Sequence, residues 1–249
     1  MMTKKATRVQ AGVRGRLRQL SLFSILDAAT REALIKRCNV LVFDPEQTLF
    51  MQGSKHQYSY IIESGLIRTY YVSESGREIT LGHWSDGDLV GGPMIFGGGY
   101  HIWSGIADRR SRVLAISGSV LHEFAASNAH IYPWIVDLLC FKLHWLSILF
   151  QVHGTEQVQQ RLVKLLLMFS DIYGEDSPDG IVIRHAITQS NLATLVGSSR
   201  QWTNKLLASL NSRGLITTRE RHIVLRDPDG LRAMVSDDWK PVPVLLSTG

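Results

Sequence analysis

Apolar positions change their spacing along the chain, and each change marks a new region. In residues 21–38, SLFSILDAATREALIKRC, the residues Leu22, Phe23, Leu26, Leu34 and Ile35 recur at helical intervals, and Asp27 stands where an N-cap would. From Asn39 to Ser117 short apolar runs alternate with Gly, Pro, Asp and Ser: VLVF, TLFMQG, YSYIIESG, LIRTYYVSESG, REITLGHW, SDGDLVGG and RVLAIS. Turn signals every eight to twelve residues predict a small antiparallel barrel or sandwich. SESG, between LIRTYYV and REITLGHW, predicts a hairpin with Gly76 at positive φ. Asp86 and Asp88 of SDGD are expected to serve a turn.

Helical spacing returns over 118–153. Trp134, Leu138, Phe141, Trp145, Ile148 and Val152 follow at intervals of 4, 3, 4, 3 and 4, which is an a/d seam. Ile135, Leu139, Leu143, Leu146 and Leu149 form a second apolar stripe. A helix apolar on two sides has to bury both. One side is expected against the barrel and the other against a second copy of the chain, with the row from Trp134 to Val152 as the dimer seam. Asp137, Lys142, His144 and Gln151 make the stretch too polar to span a membrane. Gly154-Thr155 interrupts the pattern, and Thr155 is expected to cap a new helix over 155–173 carrying Val158, Leu162, Leu165, Leu166 and Phe169. GEDSPDG (174–180) reads as a loop, and 153–156 as a hinge.

The last region begins TQSNLATLVGSSRQWTNKLLASLNSR (188–213). Thr188 opens a helix with Leu192, Ala193, Leu195 and Val196 on its apolar face, and Gly197 closes it where a left-handed residue is needed. Ser198 or Ser199 caps the next helix, which carries Trp202, Leu206, Leu207 and Leu210. Two short helices joined by a Gly turn form a helix-turn-helix, and GLITTRERHIVLRD (214–227) adds a hairpin wing. Arg200, Gln201, Asn204 and Lys205 fall on the outer face of the second helix. Arg can take guanine O6 and N7 together, and Gln or Asn can pair with adenine. The helix N-terminus with the Ser198 and Ser199 hydroxyls suits a phosphate, and Thr188 is counted with the DNA-contacting set. Trp202 is large for this position; it either packs on the wing or meets sugar or a thymine methyl.

Charge sharpens this picture. The chain has 249 residues, 45% hydrophobic and 20% charged, a globular composition that suits one large or two ordinary domains. Its net +5 is unevenly placed. Residues 1–20 carry +6 from Lys4, Lys5, Arg8, Arg14, Arg16 and Arg18. Residues 188–226 carry +5 from Arg200, Lys205, Arg213, Arg219, Arg221 and Arg226 against Glu220, which leaves about −6 elsewhere. A basic module on an acidic body points to a polyanion bound at one end. The first twenty residues read as a flexible basic arm, either adding phosphate contacts or solubilising the chain, and with no apolar core segment they do not read as a targeting signal. Cys38 and Cys140 alone exclude a disulfide scaffold or a site of four cysteines in one chain; both are expected to be inert thiols in apolar surroundings, in a reducing cytoplasm. No nucleophile elbow, P-loop, HExxH or pair of catalytic carboxylates stands out, so neither an enzyme nor a metal site is expected.

The order of barrel, long helix, hinge and winged helix-turn-helix resembles the Crp/Fnr superfamily of bacterial transcription regulators, from about Leu22 to Arg232. The most specific part is ITQSNLATLVGSSRQWTNKLLASLNSRGLI (187–216), where the family's recognition helix usually starts Ser-Arg-Glu and this chain has Ser199-Arg200-Gln201. LFMQG, YIIESGLIRTY and SGREITLGHWSDGDLVG follow the family's cyclic-nucleotide-binding-like pattern, and Arg161 fits its hinge region. The resemblance implies an α+β chain in five parts. These are a basic arm (1–20), an antiparallel β-barrel or jelly-roll sensor domain (21–127), a dimerisation helix (128–154), a winged helix-turn-helix (155–235) and a tail (236–249).

The departures narrow the effector. Members that bind cyclic AMP have Gly-Glu after the GD-hydrophobic strand and an Arg-Ser after the following loop; the Glu holds the ribose and the Arg the cyclic phosphate. This chain has Gly91-Gly92 and then His101-Ile102-Trp103-Ser104, with no Arg there and with Arg109 and Arg110 at the wrong spacing. Losing a charge-assisted phosphate clamp removes about 1.5–3 kcal/mol, so tight cyclic-nucleotide binding is not expected. Gly91, Gly92, Pro93, Met94, Trp103 and Ser104, closed from below by Phe141 and Trp145, would suit a small apolar or aromatic effector, or would simply fill the vacated pocket. A haem-based sensor would need His83, His101 or His144 as axial ligand. The expected protein is a homodimeric, sequence-specific, cytoplasmic regulator without cofactor. It reads an inverted repeat in double-stranded DNA, its barrel holds a small-molecule effector or none, and RNA polymerase is the partner if it activates.

Overall fold

The computed structural model describes residues 21–76, 78–92, 94–155, 157–183, 188–219 and 222–235. The predicted arm (1–20), the tail (236–249) and Pro93 lie outside them. The chain forms two compact units that part within one helix, the first ending at Leu143 and the second beginning at His144.

The first unit opens with two helices, α1 (Leu22–Ile25) and α2 (Ala28–Lys36). Asp27 caps α2, its carboxylate accepting from Thr30 N at 2.8 Å. Six antiparallel strands follow: β1 (Asn39–Phe43), β2 (Thr48–Phe50), β3 (Tyr58–Val72), β4 (Glu78–Trp84), β5 (Leu89–Val90) and β6 (Ser104–Ser117). They lie in the order β1-β6-β3-β4, with β2 on β6 and β5 on β3. The sequence splits YSYIIESG from LIRTYYV, but β3 runs through both. Its turn signal becomes a set of register shifts between Ile62 and Ile67, centred on Gly65 at φ +126°. A bulge there bends the strand without ending it. Gly76 has φ +78° in the β3–β4 turn, as expected.

Two helices complete this unit, α3 (Gly118–Ser127) and the first part of α4 (Ile131–Thr155). Leu22, Leu34, Ile61, Leu89, Leu114 and Ile116 meet Leu121 and Phe124 of α3 and Ile131, Trp134, Ile135 and Leu138 of α4 in one core. This overturns part of the expected dimer seam. Trp134 and Leu138 belong to the unit's own core, and Phe141 and Trp145 are buried as well. The exposed apolar row of α4 is instead Tyr132, Val136, Leu139, Leu143 and Phe150. The side chains of Ile148 and Val152 lie outside the described residues.

The second unit contains α5 (Val158–Tyr173), β7 (Gly174–Ser177), β8 (Gly180–Ile183), α6 (Gln189–Val196), α7 (Arg200–Ser212), β9 (Ile216–Arg219), β10 (His222–Leu225) and α8 (Pro228–Arg232). Its sheet runs β7-β8-β10-β9. Two expectations fail locally. Thr155 ends α4 rather than capping α5, whose N-cap is Gln157. The segment read as a loop holds strand β7, whose low intrinsic propensity is overridden by pairing with β8.

Gly65 tests the bend in β3. A Cβ there would lie 2.6 Å from the Ser111 Cα, at a φ that side chains rarely adopt. Gly65→Ala is expected to cost roughly 3 kcal/mol or more in urea unfolding of the barrel. An unchanged unfolding midpoint would show that the strand bends elsewhere.

Candidate nucleic-acid interface and barrel site

Local capping chemistry builds the helix-turn-helix. Thr188 caps α6 by accepting from Asn191 N at 3.1 Å. Gly197 ends it at φ +65°, and Ser198 N donates to Ala193 O at 2.9 Å. That is the left-handed closure which lets the chain turn at once into a second helix. Ser199, not Ser198, caps α7, accepting from Trp202 N at 3.1 Å. Arg161 on α5 donates from Nη1 to Val196 O at 3.0 Å, placing a cation on the last carbonyls of α6 beside this turn.

Thr203, Leu207 and Leu210 bury the inner side of α7. Arg200, Gln201 and Lys205 are exposed near its N-terminus, and Thr188 is exposed at the start of α6. Asn204 differs from the expected set: it is half-buried, and its Oδ1 is shielded from solvent without a hydrogen-bond partner. Of the basic residues counted in the sequence, Arg226 is paired. Arg226 donates to Thr217 Oγ1 at 2.9 Å and lies 3.8 Å from Asp179, so its charge is already engaged. The Arg219 side chain and Arg221 lie outside the described residues.

Of the eight predicted pocket residues, all but Pro93 are described. Gly91 and Gly92 adopt φ +136° and +131°. Met94 is exposed, Trp103 half-buried and Phe141 buried. Ser104 is buried and accepts from Gln52 N at 3.0 Å. Trp145 belongs to the other unit, where its ring lies 5.7 Å from Phe169. Arg109 donates to Gly65 O at 2.8 Å and Arg110 lies 3.9 Å from Asp44. Asp86 accepts from Gly65 N and Asp88 from Ser85 N, which keeps both in the turn role read from the sequence.

The sequence reading missed a different cluster. Phe50 stacks on Tyr60 at 5.6 Å and on His101 at 4.5 Å, and His101 lies 4.6 Å from His56. The His101 Nδ1–H donates to Gly91 O, which ties this cluster to the glycine loop. Burial holds His56 and His101 below the usual histidine range, so both are neutral at pH 7. A second group centres on Trp84, whose Nε1 donates to Thr69 Oγ1 at 2.8 Å. Lys142 of α4 places Nζ 3.6 Å from the Trp84 ring centre and donates to Leu89 O at 2.7 Å. Burial pushes the Lys142 ammonium down to about 8, opposed by Asp88, whose own carboxyl burial pushes up. The available signal was two strand glycines: a Cβ at Gly82 would meet Trp84 at 2.6 Å and one at Gly105 would meet Phe50 at 2.5 Å. Glycine inside a strand marks such a close approach.

The cysteines separate. Burial pushes the half-buried Cys38 thiol up to about 11, an inert group, whereas Cys140 is exposed on α4, against expectation. Among the described residues no three His, Cys, Asp or Glu side chains gather as a metal site requires, and no helix is long and apolar enough to cross a membrane.

Comparison with known proteins agrees with both halves. The sequence matches the cyclic nucleotide-binding domain over residues 40–128 and the Crp-like helix-turn-helix domain over residues 160–234. It is 25% identical over 215 residues to the CRP-like cAMP-activated global transcriptional regulator of Mycobacterium tuberculosis, covering 86% of this chain and 96% of that one. FixK2 from Bradyrhizobium japonicum shares the fold with a TM-score of 0.68 at 16% identity, over 80% of this chain and 98% of that one. A mutant of CooA from Carboxydothermus hydrogenoformans does so with a TM-score of 0.72 at 17% identity, over 81% and 89%. The curated relatives are named as regulators, not enzymes. With a cyclic-nucleotide-binding-type domain followed by a Crp-like helix-turn-helix, the chain belongs to the Crp/Fnr family of transcription regulators, whose members bind DNA through that motif and act as dimers.

Proposed function

We propose that this regulator binds an inverted-repeat DNA site as a homodimer, reading each half-site with Arg200, Gln201 and Lys205, and that its barrel does not answer to a cyclic nucleotide. The observation that carries this reading is the exposed head of α7: one long basic, one amide and one further basic side chain on a helix capped by Ser199. Arg200 and Lys205 match guanine O6 and N7 or phosphate, and Gln201 matches adenine. Asn204 moves to a supporting role, because its Oδ1 is shielded within the domain. Ser198 and Ser199 remain phosphate candidates, because the Ser199 hydroxyl accepts in the helix cap and keeps its O–H to donate, whereas the Thr188 hydroxyl both accepts from Asn191 N and donates to Asn191 Oδ1. Such a protein works in the compartment that holds the DNA, the cytoplasm.

The dimer seam is reassigned to Tyr132, Val136, Leu139, Leu143 and Phe150. Their spacing keeps the heptad period, and their exposure leaves apolar surface for a partner helix to cover. For the effector, Gly91-Gly92 offers no carboxylate to a ribose and the nearby arginines are engaged elsewhere. A small uncharged effector of apolar or aromatic character fits the aromatic surroundings of the glycine loop. A second reading, regulation without effector, is favoured by Phe50 and Trp84, whose rings already lie over Gly105 and Gly82. A haem alternative through His83 would have to break its 3.2 Å contact with Asp108.

Selection of binding sites from random duplex DNA is expected to return an inverted repeat with half-site centres about 10–10.5 bp apart. Gln201→Ala is expected to relax one base position per half-site by about 1–3 kcal/mol, and Lys205→Ala to weaken binding with a shallower salt slope if it meets phosphate. Recovery of no enriched sequence would sink the reading. Calorimetric titration with cyclic AMP is expected to give no micromolar binding.

The seam has its own test. Leu143→Glu is expected to leave a folded monomer in sedimentation and to abolish inverted-repeat binding. Trp134→Ala is expected to destabilise the barrel by about 3–5 kcal/mol, because it opens a cavity in the core. A Leu143→Glu protein that remained dimeric would return the seam to another face.

A further inference from the structure

Helix α7 carries one large apolar side chain that is half exposed. Trp202 is 49% exposed, and among the described residues its indole has no ring, cation or hydrogen-bond partner. Its position is nonetheless well defined, since its main-chain N–H donates to the capping Ser199 Oγ at 3.1 Å. With Thr203, Leu207 and Leu210 turned inward, Gln201, Lys205 and Ser212 run along the opposite side of the helix. Trp202 and Ser209 form the row beside them, and Ala208 flanks the other edge. Ala208, Ser209 and Ser212 on that surface are small, so the indole is its large apolar group.

The chemistry of the surface is otherwise polar. Arg200, Gln201 and Lys205 can recognise hydrogen-bonding edges of bases. The major groove has one apolar feature, the C5-methyl of thymine, and none of those three side chains reads it. An exposed indole two residues into the same helix supplies the missing complement. About half of the Trp202 surface faces solvent, enough to meet a methyl group in the groove.

We propose that Trp202 is a specificity-determining residue whose indole makes apolar contact with the methyl group of one thymine in each half-site. The proposal rests on α7 being the DNA-reading helix, and its test separates the two. The full chain is used to select its site, and the thymines of the half-site are then replaced one at a time by deoxyuridine, which lacks only the methyl. Burying one methyl-sized group corresponds to roughly a fourfold change in affinity per half-site, and about fifteenfold when both half-sites are changed. One thymine is expected to show this loss with the unaltered protein. Trp202→Ala, checked for fold by circular dichroism, is expected to bind thymine and uracil equally at that position while keeping its preference at the position read by Gln201. Trp202→Phe is expected to retain the methyl dependence in part. If the unaltered protein binds every uracil-substituted site as well as the parent, or if Trp202→Ala keeps the same uracil penalty, the assignment is wrong and the ring meets sugar or nothing. If selection enriches no sequence at all, the fault lies with the DNA-reading role of α7 and takes this proposal with it.

Discussion

Helix α4 carries more apolar surface than one chain buries, and much of the fold is arranged around that excess. Its inner row supplies Ile131, Trp134, Ile135 and Leu138 to the core shared by the sheet and by α1, α2 and α3. Its outer row leaves Val136 at 57% and Leu143 at 68% exposure. A helix with two apolar faces is stable in water only when both are covered. The sensor barrel covers one. The other needs a helix of matching period, which a second copy of the same chain provides by symmetry.

The glycine loop of the barrel is crowded by rings from other elements. Gly91 and Gly92 carry no side chains and occupy backbone conformations that side chains rarely adopt. The neutral imidazoles of His56 and His101 crowd that loop instead, and Phe50 stacks behind them. At the other end a single cation, Lys142, rests on the Trp84 ring and on a main-chain oxygen. Desolvation disfavours its charge, while the aromatic face, the carbonyl and the Asp88 carboxylate favour it.

What the sequence disclosed and what it hid follow from the range of the interactions involved. The helix-turn-helix was legible because its determinants are local: Thr188, Gly197 and Ser199 each act within four residues of themselves. The hairpin at Gly76 was legible for the same reason. Strand β3 was split in the reading because a glycine that bends a strand and one that ends it look alike until Ser111, far along the chain, is seen against it. The two rows of α4 were both visible, but periodicity fixes rows and not directions. Only packing reveals that the Trp134 row faces inward. The ring cluster was invisible because Phe50, Trp84 and His101 come from separate strands and loops, and only their facing glycines, Gly105 and Gly82, hinted at it.

The same helix also explains how barrel and seam can be linked without a long chain of contacts. Lys142 and Leu143 are adjacent, yet their side chains lie on different faces of α4: Lys142 is bonded to Leu89 O, and Leu143 is open to solvent. Leu89 precedes Gly91 by two residues, and Gly91 O is the acceptor for His101. Lys142 shares its helical turn with Leu139 and Leu143 of the outer row. Helices move as rigid elements over such distances, so a rotation that serves the inner contact must carry the outer row with it.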